Sequence, residues 1–206
     1  MNQAEKSQRS RERILEAALQ LFSSQGYRAT SVRDIAAGAG VSTGNVYHHF
    51  PDKEAIYLTL LDQYWEAIDD PELPFNRALA AGTFPDNLEE VGHASRELVR
   101  VYRRHVALIY VDVVEFEGSH IRKFYAEMAE RYAKFMATHD GAKVMAARLR
   151  PGISPASAAM FATRFYINYF AVEILFGVPN HFGKDSETVV RETAEILRHG
   201  MLRPGA

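Results

Sequence analysis

Cysteine is absent from this 206-residue chain. Disulfide scaffolds, thiolate zinc sites, iron–sulfur clusters and cysteine nucleophiles are thereby excluded. Also lacking is an excess of positive charge: 24 Lys and Arg stand against 26 Asp and Glu, so the overall balance does not announce nucleic acid. The opening residues, MNQAEKSQRSRER, hold no apolar run of the kind that marks a secretory signal, and a cytoplasmic protein is expected. No stretch alternates apolar and polar residues for long enough to be a strand, and no internal repeat is visible. What the chain does have is 47% hydrophobic residues, enough at this length for a sizeable core, which rules out global disorder.

The charge is unevenly spread. Residues 1–53 carry seven Lys and Arg against five Asp and Glu, and residues 54–206 carry 17 against 21. The sign suits an N-terminal nucleic-acid module. The periodicity predicts helices throughout, beginning with residues 10–24, where Ile14, Ala18, Leu21 and Phe22 share a face behind a Ser10 cap. Ser31 and Asp34 fit a capping box for a helix over 31–38, Gly40 ends it, and Ser42 caps a third helix that runs to His49. Asp52 caps a fourth, with Ile56, Tyr57, Leu60, Leu61, Tyr64 and Ile68 inward. Pro71, Pro74 and Pro85 mark residues 70–85 as a loop. Further helices are expected over 86–115 with a break near His105, over 120–147, over 155–177 with Pro155 at its first turn, and over 186–202.

Residues 31–50, SVRDIAAGAGVSTGNVYHHF, read as a short helix, a tight glycine turn and a second short helix. That is the helix-turn-helix plan, whose second helix enters the major groove. Val32, Ile35, Ala36, Val41, Val46 and Phe50 would hold the pair against the first helix. Thr43, Gly44, Asn45, Tyr47, His48 and His49 would face outward, with groups that bond phosphates or base edges. Gly44 costs a helix ~1 kcal/mol, which a close approach of DNA to the backbone would justify. Any all-helical domain can also contain a short helix pair with a glycine turn.

From Arg11 to Ala55, including Gly40-Val41-Ser42-x-Gly44-x-x-Tyr47-x-His49-Phe50, the sequence resembles the DNA-binding domain of the TetR family of bacterial transcription regulators. The remainder resembles that family only in its layout of helices. The resemblance implies a homodimer bound to a palindromic operator in double-stranded DNA, with Thr30, Arg33, Thr43, Gly44, Asn45, Tyr47, His48 and Lys53 at or near the DNA. Two departures stand out: Thr43 occupies a position that is often Lys, and Pro51-Asp52 precedes Lys53. Lys6, Arg9 and Arg11, ahead of the first predicted helix, would form a compensating basic arm or merely a solubilising tail. Lys53 starts a helix, where its ammonium and the free N–H groups favour phosphate, although an ordinary solvated lysine also fits. Tyr47 offers a hydroxyl on a rigid ring, and Arg33 either reaches DNA or pairs with Asp34 or Glu54.

Other motifs lead nowhere. Gly38-Ala39-Gly40 follows a helix rather than a strand, so it is no dinucleotide loop. His48 and His49 are adjacent and point apart, without metal-ligand spacing, and no cofactor is expected. Residues 155–178 contain Arg164 and Glu173, which disfavours a membrane span. No nucleophile motif, P-loop or acid–base pair is present, and Glu115 and Glu117 diverge on a helix, so no enzyme is expected. The C-terminal two-thirds are rich in aromatics, most of them core. Tyr102, Tyr110, Phe124, Met128, Phe161, Phe165 and Tyr169, with Arg164 and Asn168 as polar anchors, are candidate lining for a small-molecule cavity. Val190, Ala194, Leu197 and Met201 stripe the last helix, which together with 155–177 resembles the family's four-helix dimer interface.

The expectation is an all-α protein: a three-helix DNA-binding domain over 1–52 and a helical ligand-binding and dimerisation bundle over 53–206. It would be a repressor released by a small, mainly apolar or aromatic effector. The alternatives are a DNA-binding regulator controlled by a protein partner, and a helical enzyme or carrier with an incidental helix-turn-helix.

Overall fold

The computed structural model describes residues 2–81, 83–137 and 141–201, the last including only the backbone of residues 141, 142, 144 and 201. Eleven helices are found among them, and no strand: α1 Gln3–Gln25, α2 Val32–Ala39, α3 Thr43–His49, α4 Lys53–Ile68, α5 Pro74–Ala80, α6 Leu88–Val101, α7 Arg103–Phe116, α8 Arg122–Ala137, α9 Gly141–Arg148, α10 Pro155–Ile174 and α11 Ser186–Met201. The chain is therefore all-α, as its patterning predicts. Met201 of the expected stripe lies outside the described side chains.

Several boundaries differ from the sequence expectation, each for a local reason. The first helix starts at Gln3 rather than Ser10, because Asn2 and Glu5 form a complete capping box two turns upstream. The basic residues Lys6, Arg9 and Arg11 thus sit on a helix and not on an arm. The proline-rich stretch 70–85 contains α5, with Pro74 in its first turn, where a missing N–H costs nothing. Its Phe75, Ala78 and Leu79 are buried. The break expected near His105 falls between Val101 and Arg103.

The chain divides into two compact units. The first holds residues 1–67 and 104–122, and the second holds 68–103 and 123–206. These packing units cut the chain differently from the division expected at 52/53, because α4 packs almost wholly within the first.

The first unit buries Ile14, Ala18 and Phe22 of α1, Ile35 and Ala36 of α2, Val46 of α3, Ile56, Tyr57 and Leu60 of α4, and Leu108 of α7. Its centre is aromatic: Tyr27 packs against Phe22, Tyr57 and Phe116 with ring centroids 4.6–5.4 Å apart. The second unit is built on α6, α10 and α11. Ala158, Ala159 and Ala162 keep α10 slim, and Gly92 on α6 leaves room for Val190 and Tyr166, whose atoms a Cβ there would strike. α10 also buries Tyr166, Tyr169 and Phe170, while Phe161, Arg164 and Asn168 lie exposed along one side of it, so the burial on more than one side that its nearly unbroken apolar sequence calls for is not met within the single chain. Among the described residues no helix is long and apolar enough to cross a membrane.

Candidate nucleic-acid interface

Local sequence shapes the α2–α3 pair. Ser31 Oγ accepts from the Asp34 N–H while the Asp34 carboxylate accepts from the Ser31 N–H at 2.9 Å, a reciprocal box that starts α2. Gly40 adopts the left-handed conformation (φ 62°) that closes α2. Ser42 Oγ then accepts from the Asn45 N–H at 3.1 Å and starts α3. Val46 is the buried residue of α3, and Phe50 behind it is buried too. With that face committed to the core, α3 turns the opposite face outward.

On that outer face Gly44, Tyr47 and His48 are exposed, while Thr43, Asn45 and His49 are half-buried. Tyr47 is 54% exposed, unusual for a large aromatic side chain with nothing to cover it. A Cβ at Gly44 would meet only Ser42 Oγ, at an ordinary 3.9 Å. Nothing among the described residues therefore demands glycine at this position. Asn45 Oδ1 and His49 Nε2 are occluded and have no hydrogen-bond partner among the described residues. Burial, with His48 and Arg11 adding, holds the His49 imidazole below its ordinary value and so favours the neutral ring. Arg33, on α2, is exposed. Its two expected partners are engaged elsewhere, Asp34 with Ser31 and Glu54 with His120.

Two arginines of α1 steady this pair from behind. Arg13 Nη2 donates to the Gly40 carbonyl at 3.2 Å, and the Arg11 guanidinium lies 5.2 Å from the Phe50 ring centroid. Sequence reasoning gave Arg11 to an arm and assigned Arg13 nothing, because their partners are too distant along the chain to form a local pattern.

Thr30 and Lys53 are placed differently from the other expected contacts. Thr30 is fully buried, and its hydroxyl donates to the Gly26 carbonyl at 2.8 Å. The Lys53 ammonium donates to the carbonyls of Tyr27 and Thr30, both at 2.8 Å, and sits 3.9 Å from the Tyr27 ring centroid. Burial pulls its basicity down, partly offset by Glu115. Both side chains are therefore bound within the chain, holding the turn that leads into α2.

Deeper in the first unit the Tyr57 hydroxyl donates to the Leu108 carbonyl at 2.6 Å, and burial raises its pKa so that it stays a donor. The fully buried Asp112 faces His120 Nδ1 at 2.6 Å and accepts the Ile121 N–H, while His120 Nε2 faces Glu54 at 3.2 Å. Among the described residues no cluster of His, Asp or Glu is arranged to hold a metal ion.

The candidate ligand-lining residues are not drawn into one described site. Tyr110 belongs to the first unit and Tyr102, Phe124, Met128, Phe161, Arg164, Phe165, Asn168 and Tyr169 to the second. Arg164 reaches Met128 Sδ at 3.1 Å and lies over Tyr125, Asn168 is exposed, and Tyr169 is buried against His181 and Phe165. Phe124 lies under the Arg131 guanidinium, and Tyr102 packs on the edge of the core. Phe161 and Phe165 instead line an apolar groove of about 310 Å³ with Phe182, Val189, Ile196 and Leu197.

Residues 14–60 match the family model described as "Bacterial regulatory proteins, tetR family". The HTH-type transcriptional repressor KstR2 of Mycobacterium tuberculosis is 34% identical over 122 residues, covering 55% of this chain and 56% of that protein. The uncharacterised HTH-type regulator YuxN of Bacillus subtilis is 33% identical over 102 residues, 50% of this chain and 30% of its own length. The chain thus matches about half or less of these relatives. Over nearly full length the fold is similar to that of NalD, the secondary repressor of the MexAB-OprM multidrug efflux pump in Pseudomonas aeruginosa, with a TM-score of 0.62, 23% identity, and coverage of 98% of this chain and 100% of that one.

Proposed function

We propose that the chain is a TetR-family DNA-binding transcriptional regulator: a repressor that binds a palindromic operator as a homodimer and leaves it when a small apolar or aromatic effector binds. One observation carries the DNA reading. The outer face of α3 is polar and uncommitted, and it carries a glycine that the chain itself does not require. Thr43, Gly44, Asn45, Tyr47 and His48 are the proposed contacts, joined by Arg33 and by the exposed Lys6 and Arg9 of α1. Thr30 and Lys53 act from behind, as supports of the turn before α2.

The dimer reading is supported by α10 and α11. Phe161, Phe182 and Ile196 are 64%, 54% and 71% exposed around their shared groove, an apolar face of the kind that marks an interface. Phe161 and Phe165 then serve a second copy of the chain rather than an effector. The effector reading leans on relatives: KstR2 of M. tuberculosis is described as a ketosteroid transcriptional regulator, and NalD represses a multidrug efflux pump. Tyr102, Phe124, Met128, Arg164, Asn168 and Tyr169 remain the candidate contacts in the second unit, and Tyr110 in the first.

The test is to select an operator from a random duplex pool with the purified protein. Two symmetric half-sites, ~34–36 Å or a multiple apart, are expected. Arg33→Ala should then weaken binding and lower the salt slope by about 1, while Tyr47→Phe should weaken binding without that change. A selection that yields no two-fold motif would overturn the reading. Release is tested with a panel of steroids and aromatic compounds, following Trp65 fluorescence and operator affinity together. A compound that binds while operator affinity stays constant counts against release by that class.

A further inference from the structure

The segment from Gly26 to Thr30, which joins α1 to α2, is gripped from two sides. From α7, Glu115 Oε1 accepts the Tyr27 N–H at 3.0 Å and Oε2 accepts the Arg28 N–H at 2.6 Å. The Glu115 carbonyl accepts from Arg28 Nη2 at 2.8 Å. From α4, the Lys53 ammonium takes the carbonyls of Tyr27 and Thr30. An anion thus binds the N–H side of the turn and a cation its carbonyl side, each in the favourable sense of the peptide dipoles. Gly26 fits this arrangement twice over. Its φ of 91° suits glycine, and a Cβ there would collide with Glu115 Oε1.

What the carboxylate holds is the entrance to the reading helices. Ser31, the cap of α2, follows the turn directly, and α3 follows α2 after a three-residue turn. What carries the carboxylate is a segment whose chain comes from the second unit and returns to it, at Arg103 and at Lys123. We infer that Glu115 is a positioning residue for DNA recognition: through the turn at residues 26–30 it ties α2 and α3 to α7, so that the reading helix takes its position from segment 104–122. This rests on the reading of α3 as the DNA-contacting helix. It makes α7, which continues from the second unit at Arg103, a route by which a change in that unit reaches the operator.

The experiment uses the full chain and its Glu115→Gln variant. The amide keeps the shape of the side chain but turns a donor toward one of two N–H groups. Two quantities are read: hydrogen exchange at the Tyr27 and Arg28 amides, and the ratio of affinities for the selected operator and for random-sequence duplex at fixed salt. Exchange at both amides should accelerate about ten-fold or more. Operator affinity should fall about ten-fold while random-duplex affinity stays within about two-fold, because phosphate contacts tolerate a misplaced helix and base contacts do not. Unchanged exchange would overturn the inference, since Glu115 would then not hold the turn. So would faster exchange with an unchanged affinity ratio. If Glu115→Gln does not fold, both readings are made on Glu115→Asp, whose carboxylate is set back by one methylene and cannot reach both amides. Failure of the wild-type chain to select any operator would defeat the DNA reading itself, and the exchange measurement would still decide whether the clasp exists.

Discussion

In the first unit a carboxylate with no exposed surface, Asp112, lies 2.6 Å from His120, and a half-buried lysine and glutamate hold the same turn from opposite sides. In the second unit the ion pairs Arg148 with Asp86, Arg131 with Asp69 and Lys184 with Glu192 stay near solvent. Cohesion there comes from alanine and glycine surfaces that let α6, α10 and α11 approach closely. The contrast is between direction and area. Buried charge-assisted hydrogen bonds fix angles and distances, as the proposed groove-reading helix requires. Packing of small and apolar surfaces tolerates sliding and can be extended to a second molecule, as the open α10–α11 face suggests.

Five substitutions test this contrast, ordered by expected size. Asp112→Ala should remove about 3–5 kcal/mol from the first unit, because His120 Nδ1 and the Ile121 N–H lose their buried partner. Urea denaturation measures this, and a loss below about 1 kcal/mol would mean that buried charge does not hold the unit. On the second unit, Phe161→Asp and Ile196→Asp place a charge on the apolar face without entering a core, since both positions are largely exposed. Each should weaken association by about 2 kcal/mol or more and leave folded monomers in sedimentation. Folded dimers in both variants would move the interface elsewhere. Lys53→Ala strips two carbonyls of their donor and should cost about 1–3 kcal/mol of stability. Its salt slope for DNA should stay that of the wild type, the opposite of what a phosphate-binding lysine would give. Gly44→Ala has the smallest effect on folding and an inverted sign: ~1 kcal/mol of added stability from helix propensity, with weaker operator binding where the new methyl meets DNA. A variant both more stable and equally tight would remove DNA as the reason for that glycine.

How much of this was legible in sequence depended on the distance between partners. The box of Ser31 with Asp34, the Ser42 cap, the left-handed Gly40 and the inward Val46 and Phe50 are local, and their spacing alone placed α2 and α3. The outward set of Gly44, Tyr47 and His48 followed from the same periodicity. The box of Asn2 and Glu5 was local too, but Ser10 offered a competing cap nearer the first apolar stripe. Pro74 looks like punctuation in sequence, yet its place in a first turn makes it a start. Lys53 and Glu115 were beyond reach of such reasoning. Their partners lie 23–26 and 87–88 residues away, and a lysine at a helix start looks the same whether it faces phosphate or two carbonyls. In sequence Glu115 shows only its spacing from Glu117, a helix-surface matter, while its contacts are set by a turn 87–88 residues away.

The insertion of residues 104–122 into the first unit also sets an order of events during synthesis. When the ribosome has made residue 67, the helices of the reading head exist in sequence, but Leu108, Asp112, Glu115 and Phe116 do not. Tyr57 then has no carbonyl to meet, the Tyr27 and Arg28 amides have no carboxylate, and the aromatic centre lacks one of its rings. About 55 further residues must be added before these gaps close, and at ~5–20 residues per second that takes about 3–11 s. The part of the molecule encoded first is therefore among the later parts to be completed. A chain truncated after α4 would carry the whole recognition sequence without the fastening that aims it.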